Sequence, residues 1–420
     1  MNLTPRAMSA LALALLPIAS AHATLGVFEH GNGIKSMGMG GVVYTFAEET
    51  TALSGNPAHA VRLGSRWDFG VDLFGAEAEA SYEGNALGPD ESYKSDGKTY
   101  YMIPQGGWVK QLSPDWGLGV TMLSAGLGPD YDGSPYARFG GQPNRAALNL
   151  ASSSIVTAVA HRIAENHAIG ASVNLGYQVL AFEGLQFLDN PVASSAPGNV
   201  TNQGKDGAFA IGWSVGYHGQ IAPWLSVGLA YRSKNHTQKH SEYRGLVPEG
   251  GRLDLPDIYG GGITLTPIPS VTIALEAQRY EYKDETAFGN GIDQLEKGFQ
   301  LGDDDGPGFG FDDQNAYKIG LSWKATPQLT LRAGYVHATT IVNRDQTLFA
   351  FLGCLTTSTQ YSIGATYEWR SWELTGYAYN APKQTVRGED SIPESFGGGE
   401  ADISDLVYGV GFSVGKRFGR

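Results

Sequence analysis

Residues 361–369 read Tyr-Ser-Ile-Gly-Ala-Thr-Tyr-Glu-Trp. Tyr361, Ile363, Ala365, Tyr367 and Trp369 alternate with Ser362, Gly364, Thr366 and Glu368. Successive side chains of a strand point to opposite faces, so this stretch has one apolar face and one small or polar face. The pattern recurs at 271–278, where Val271, Ile273, Leu275 and Ala277 alternate with Thr272, Ala274, Glu276 and Gln278. It returns at 329–335 and again at 406–415, where Leu406, Tyr408, Val410, Phe412 and Val414 oppose Gly409, Gly411, Ser413 and Gly415. A soluble sandwich gives the same alternation, so the connections must decide.

Tight turns recur at Ser113-Pro114-Asp115, Glu165-Asn166, Ala222-Pro223, Thr266-Pro267-Ile268-Pro269, Thr326-Pro327 and Arg370-Ser371. Between them lie long Gly/Asp/Asn/Pro-rich loops near 84–97, 128–146, 183–205, 243–252, 284–311, 341–355 and 381–402. Unbroken alternation of short and long connections is the signature of an up-and-down membrane barrel with short periplasmic turns and long outer loops. The expected fold is an all-β, transmembrane antiparallel β-barrel of about 14 strands, an even number as in bacterial barrels. Trp116, Trp224, Trp323, Trp369 and Trp372 lie beside the short turns, where amphipathic rings would form a belt at the inner headgroup level.

Composition narrows the partners. Asp and Glu number 42 against 29 Lys and Arg, for a net charge of −13, and no basic cluster stands out. Nucleic acid is therefore not an expected partner. The single cysteine, Cys354, allows no internal disulfide and reads as a buried, inert thiol. The first residues read as a secretory signal: Arg6 gives a basic start, Leu11 to Ile18 an apolar run and Ala21-His22-Ala23 a cleavage site. The expected organisation is a signal peptide over 1–23, an N-terminal plug (hatch) inside the lumen over 24–65, and a barrel over 66–420. The plug segment is glycine-rich and apolar. Within it, Asn56 suits a helix N-cap, Pro57 the first helical position and Gly64 the exit, so 57–63 reads as a short helix.

Gly38-Met39-Gly40-Gly41, Glu48-Glu49 and Asn56-Pro57-Ala58, set before this strand pattern, resemble the FadL-like family of outer-membrane transporters. Trp116-Gly117-Leu118-Gly119-Val120 and Asn315-Ala316-Tyr317-Lys318-Ile319-Gly320 extend the resemblance. It implies passive uptake of hydrophobic compounds, either long-chain fatty acids or aromatic hydrocarbons, by a monomer embedded in outer-membrane lipid. It also implies capture among the outer loops, a pocket lined by the N-terminus, a plug rearrangement and lateral exit through a kinked third strand.

Candidate residues follow for each step. Val27 and Phe28 would line the inner pocket or anchor the chain end. Asn56, Pro57 and Ala58 either lie on the exit route or hold the plug together. Gly126 and Gly128, beside Pro129, permit a kink or simply end the third strand. Leu185, Phe187 and Leu188 in one outer loop, with Leu348, Phe349, Phe351 and Leu352 in another, would form an apolar capture groove or cap the barrel. Lys318, Arg332 and Arg232 fall on the polar face and would suit a carboxylate ligand, although Lys318 is expected level with Glu276 on the neighbouring strand. The acidic run Asp303-Asp304-Asp305, with Asp312 and Asp313, does not match an EF-hand; it reads as a solvated loop or a surface cation site. No catalytic residues, metal ligands or cofactor are expected, since no Ser/His constellation of a barrel lipase is evident. A general diffusion porin is the alternative; it would keep an open polar lumen and need no plug.

Overall fold

The computed structural model describes residues 25–95, 100–141 and 144–418; the expected signal peptide lies outside the described residues. Fourteen long strands form one closed antiparallel sheet. In chain order they are β1 (Ser65–Glu83), β2 (Tyr100–Gln111), β3 (Trp116–Leu127), β4 (Arg145–Ala164), β5 (His167–Glu183), β6 (Asp206–Ala222) and β7 (Leu225–Arg232). There follow β8 (Ile258–Ile268), β9 (Val271–Tyr280), β10 (Gln314–Lys324), β11 (Leu329–Ala338), β12 (Thr359–Trp369), β13 (Trp372–Val386) and β14 (Glu400–Phe418). Each strand pairs with its chain neighbours, and β14 closes on β1 from Ser65↔Phe418 to Glu83↔Glu400. Closure removes the sheet edges that lipid could not satisfy.

The alternation resolves into an outward apolar face and an inward small or polar one. Ile363, Tyr361, Trp369 and Phe412 are exposed, whereas Ser362, Thr366 and Thr375 are buried inside. Trp116, Trp224, Trp323 and Trp369 are exposed beside the short turns, and Trp372 packs edge-on against Trp67. One turn differs from expectation. Strand β8 runs through Thr266 and Pro267 to Ile268, with a register shift between Leu265 and Ile268, so the reversal falls at Pro269-Ser270. A bulge accommodates the proline within the strand.

Residues 25–64 lie inside the ring and are largely buried. Their path follows the inner wall strand by strand, and wall glycines let backbone meet backbone. A Cβ on Gly170 (β5) would lie 2.4 Å from Ala58 N, on Gly216 (β6) 2.0 Å from Asn56 Oδ1 and on Gly228 (β7) 2.1 Å from Tyr44 O. On Gly320 (β10) and Gly334 (β11) it would meet Met39 O at 2.5 Å and Gly40 N at 1.9 Å. Leu53, Ala58, Ala60 and Val61 bury their apolar surface on Val109, Ala158, Ala160 and Ala168. The segment contains a 3₁₀ helix at Pro57–Val61, tighter and shorter than the expected helix, with Asn56 as N-cap and Gly64 at φ +67°.

Gly216→Val should displace this segment, at a cost of about 1–3 kcal/mol for overpacking. The expected outcome is a barrel that still forms, with a lower unfolding temperature and raised single-channel conductance. Gly376→Val should change neither, because a Cβ at Gly376 makes only ordinary contacts, with the Phe412 ring at 3.4 Å and Gly411 O at 3.8 Å.

Candidate functional site

Among the described residues the wall has a window at the β2–β3 seam. The β2–β3 ladder runs from Gln111↔Gly117 to Gly107↔Thr121 and stops. Beyond it β2 stays paired with β1 up to Gly75↔Tyr100, and β3 stays paired with β4 up to Leu127↔Leu150. Tyr100–Gly106 and Met122–Leu127 therefore flank an unpaired stretch. A bridge between Ser95 and Tyr131 closes its outer end, and Tyr101 donates its hydroxyl to Gly128 O at 3.1 Å. Thr121 Oγ1 donates to Gly106 O at 2.9 Å, satisfying a carbonyl the ladder leaves behind. Pro104 lies on the β2 flank. Proline cannot donate to a ladder, so its presence in a strand marks an edge. The sequence reading missed this residue, although Ile-Pro-Gln-Gly-Gly at 103–107 carries the signal.

The N-terminal segment occupies the free edge of β3. Phe28 bridges Ala125, and Gly126 N–H donates to Val27 O at 2.8 Å. Val27 N–H donates to the Tyr282 hydroxyl at 2.9 Å, and that hydroxyl donates to Leu25 O at 3.1 Å. Val27, Phe28 and Gly126 thus meet at one place. Gly128 follows at the outer corner of the window.

Above this point the outer loops shape a small, partly open apolar cavity of about 70 Å³. Leu185, Leu188, Phe349 and Leu352 line it. Phe187 stacks instead on Tyr136, itself a lining residue, and Phe351 is fully buried beneath, edge-on to Tyr82. Leu246, Val247, Leu253, Ile292, Leu301 and Phe309 complete the lining from two loops whose Gly and Asp content hid them. Leu246-Val247-Pro248 and the spaced phenylalanines at 288, 309 and 311 were the available signal. Aromatic rings lead inward from this cavity: Phe309 to Phe288 (5.9 Å), Tyr282 (5.5 Å), Tyr280 (6.0 Å) and Phe28 (5.7 Å). At the inner end Phe28, Glu29, Leu123, Tyr280, Arg232 and Lys318 are among the residues lining a second, smaller cavity of about 30 Å³.

The three lumen cations differ. Arg332 is bound to Glu48 (2.5 Å) and Thr366 (2.7 Å). Lys318 is in register with Glu276, yet each spends its hydrogen bonds on the N-terminal backbone. Lys318 Nζ donates to His30 O and Gly41 O, and Glu276 accepts from the N–H groups of Val43, Tyr44 and Thr45. Arg232 forms no ion pair among the described residues, although Glu29 lines the same cavity. Its guanidinium lies 4.8 Å from the Phe28 ring centroid, with Tyr44, Tyr280 and Tyr282 around it.

The rest of the segment is tied down by charge. Glu373 accepts from Lys35, from Arg66 at 2.6 Å and from Arg417, and Arg66 also bridges Asp68. Glu49 accepts from the N–H groups of Lys35 and Ser36, while burial pushes its carboxyl up to about 7. Asn56 donates to Tyr44 O at 2.9 Å and Tyr217 O at 3.0 Å and caps Ala58 N–H at 3.1 Å. Every polar atom of its side chain is thereby used. Cys354 is buried with its thiol on Ser404 O. Asp312 and Asp313 pair with Lys283 and Arg279.

A closed barrel with a filled lumen, an apolar outer cavity and a window in its wall is an outer-membrane transport barrel. A family model described as outer membrane protein transport protein (OMPP1/FadL/TodX) matches residues 18–413, and the chain belongs to that family. Outer membrane protein P1 of Haemophilus influenzae is 27% identical over 320 residues, covering 66% of this chain and 65% of that relative's length. Among solved structures, the toluene transporter TodX of Pseudomonas putida matches with a TM-score of 0.68 at 18% identity, over 93% of this chain and 99% of that one. A Pseudomonas aeruginosa FadL homologue matches with a TM-score of 0.67 at 15% identity, over 95% and 99%. The protein is thus a member of a family of outer-membrane transport proteins.

Glu373→Gln would leave Lys35, Arg66 and Arg417 short of a buried counter-charge. Unfolding in lipid vesicles, followed by tryptophan fluorescence, should show a loss of about 3–5 kcal/mol. Lys283→Ala, at an exposed ion pair, should cost under about 1 kcal/mol.

Proposed function

We propose that the chain moves carboxylate-headed hydrophobic molecules, long-chain fatty acids, passively through the window into the outer-membrane core. The observation that carries this reading is the broken β2–β3 ladder with Val27 and Phe28 on its free edge. Ligand enters the apolar outer cavity, follows the aromatic rings to Phe28 and sets its carboxylate on Arg232. Residues 25–28 then leave β3 and open the window. Residues 35–62 stay on the wall as a plug, so no open pore forms. The route has a physical reason, since each CH₂ kept out of water is worth about 0.8 kcal/mol. Asn56, Pro57 and Ala58 serve here as an anchor of the fixed part.

A second reading, uptake of uncharged aromatic hydrocarbons, is favoured by the outer cavity, whose lining side chains carry no charge. The relative from Pseudomonas putida is a toluene transporter. Uptake of radiolabelled oleate and toluene by cells bearing the full chain separates the two. Arg232→Met should lower oleate uptake about tenfold, as loss of one charge-assisted contact of ~1.5 kcal/mol implies, and leave toluene unchanged. Equal loss of both would make Arg232 structural. Uptake of toluene alone would favour the second reading. Uptake of neither, with high ion conductance in planar bilayers, would indicate a porin.

A further inference from the structure

Beside the window, buried oxygens converge without a cation. Glu29 follows Phe28 and turns toward β1 and β2. Gln105 on β2 donates its amide to Glu29 Oε2 at 3.1 Å. The Glu29 and Asp72 carboxyls are near enough to act on one another, and the Tyr377 hydroxyl on β13 adjoins both. Register explains the grouping. Asp72 and Gly70 are successive inward positions of β1, with Gly70 opposite Gln105 and Asp72 opposite Gly411, whose other partner is Tyr377.

Glu29 Oε1 and Gln105 Oε1 are buried without a hydrogen-bond partner in the protein, and the buried Asp72 carboxylate has only the Tyr377 hydroxyl and the Leu73 backbone beside it, neither in good hydrogen-bond geometry. Asp72 is 0% exposed, Tyr377 4% and Gln105 7%. No cationic side chain is among the groups acting on either carboxyl. A pair of buried carboxylates left in this way is strongly unfavourable, whereas a bound cation would satisfy them. Among the described residues no three His, Cys, Asp or Glu side chains converge as a metal cluster. The donor set is instead two carboxylates with an amide and a phenol oxygen.

We propose that this is a divalent-cation site and that its occupant is a hard ion of the calcium type. All the donors are oxygen, which suits hard ions over the softer metals. Two carboxylates match a charge of +2. The donors come from four separate parts of the chain, which suits the flexible geometry of calcium better than the strict octahedron of magnesium. The ion joins the residue after Phe28 to β1, β2 and β13, and so holds the N-terminal strap across the window.

The test is equilibrium dialysis of the full-length barrel, purified in detergent and stripped with EDTA, against radioactive calcium. Wild type should bind calcium saturably. Glu29→Gln, Asp72→Asn and Gln105→Leu should each weaken binding by roughly tenfold or more, as loss of a ligand does. Heat-modified migration of each variant checks that the barrel is folded. Gln105→Leu keeps both carboxyls, so its effect distinguishes a lost ligand from a lost charge. Absence of calcium binding by wild type at millimolar concentration would overturn the site and leave the carboxyls sharing a proton. Binding unaltered in all three folded variants would also overturn it and move the ion to the acidic outer loop. The readout is independent of transport, so neither result depends on which ligand the barrel carries.

Discussion

In hydrocarbon an unpaired peptide group costs several kcal/mol, and the rest of this structure depends on how that constraint is met. Thirteen of the fourteen strand seams meet it with ladders, four of them with a register shift. The β2–β3 seam does not, and every device near it compensates. Thr121 takes the Gly106 carbonyl, Val27 takes the Gly126 N–H, and Pro104 has no N–H to satisfy. The N-terminus therefore acts as a short, replaceable strand. A seam that relied on its own ladder could not open, because opening would expose backbone to lipid.

The N-terminal segment has two parts of unequal strength. From Ile34 to Arg62 it is fixed by the Glu373 ion cluster, by Glu276 and Lys318 on its backbone, and by glycine contacts that leave no room for movement. From Leu25 to Phe28 it rests on a few neutral hydrogen bonds and ring contacts. A neutral hydrogen bond contributes about 0.5–1.5 kcal/mol net. Burial of a few methylenes of an arriving alkyl chain exceeds that at about 0.8 kcal/mol each. On the proposed route the soft part yields and the hard part does not. Gly31 and Gly33, the latter at φ +103°, mark the boundary between them.

The barrel was legible because period-2 alternation and the contrast of short with long connections both follow from spanning a bilayer with antiparallel strands. The 3₁₀ helix at Pro57 was visible through its cap for the same local reason. The window was not, since a seam is a relation between two strands and leaves only indirect marks such as Pro104. The loop cavity was half legible. Apolar runs such as Leu348-Phe349 stood out, but Leu301 and Phe309 sit among glycines and aspartates, and only the folded loops bring them together. The pairing of Lys318 with Glu276 was correct in register and in charge, but both groups also bond the N-terminal backbone. Parity fixes which side chains face the lumen, but not that a third chain segment will claim both.

The lateral exit proposed above also has support in the polar lumen. Below the second cavity the barrel interior holds Glu276, Lys318, Arg332, Asn56 and the Glu373 cluster, each bonded to the segment or the wall. A vertical path would break those bonds and place hydrocarbon beside bare charge, which is unfavourable twice over. The window is flanked by Ile103, Leu123 and Ala125, all buried and apolar. The interactions that hold the fixed segment against the wall are therefore the ones that make the direct route to the periplasm the worse of the two.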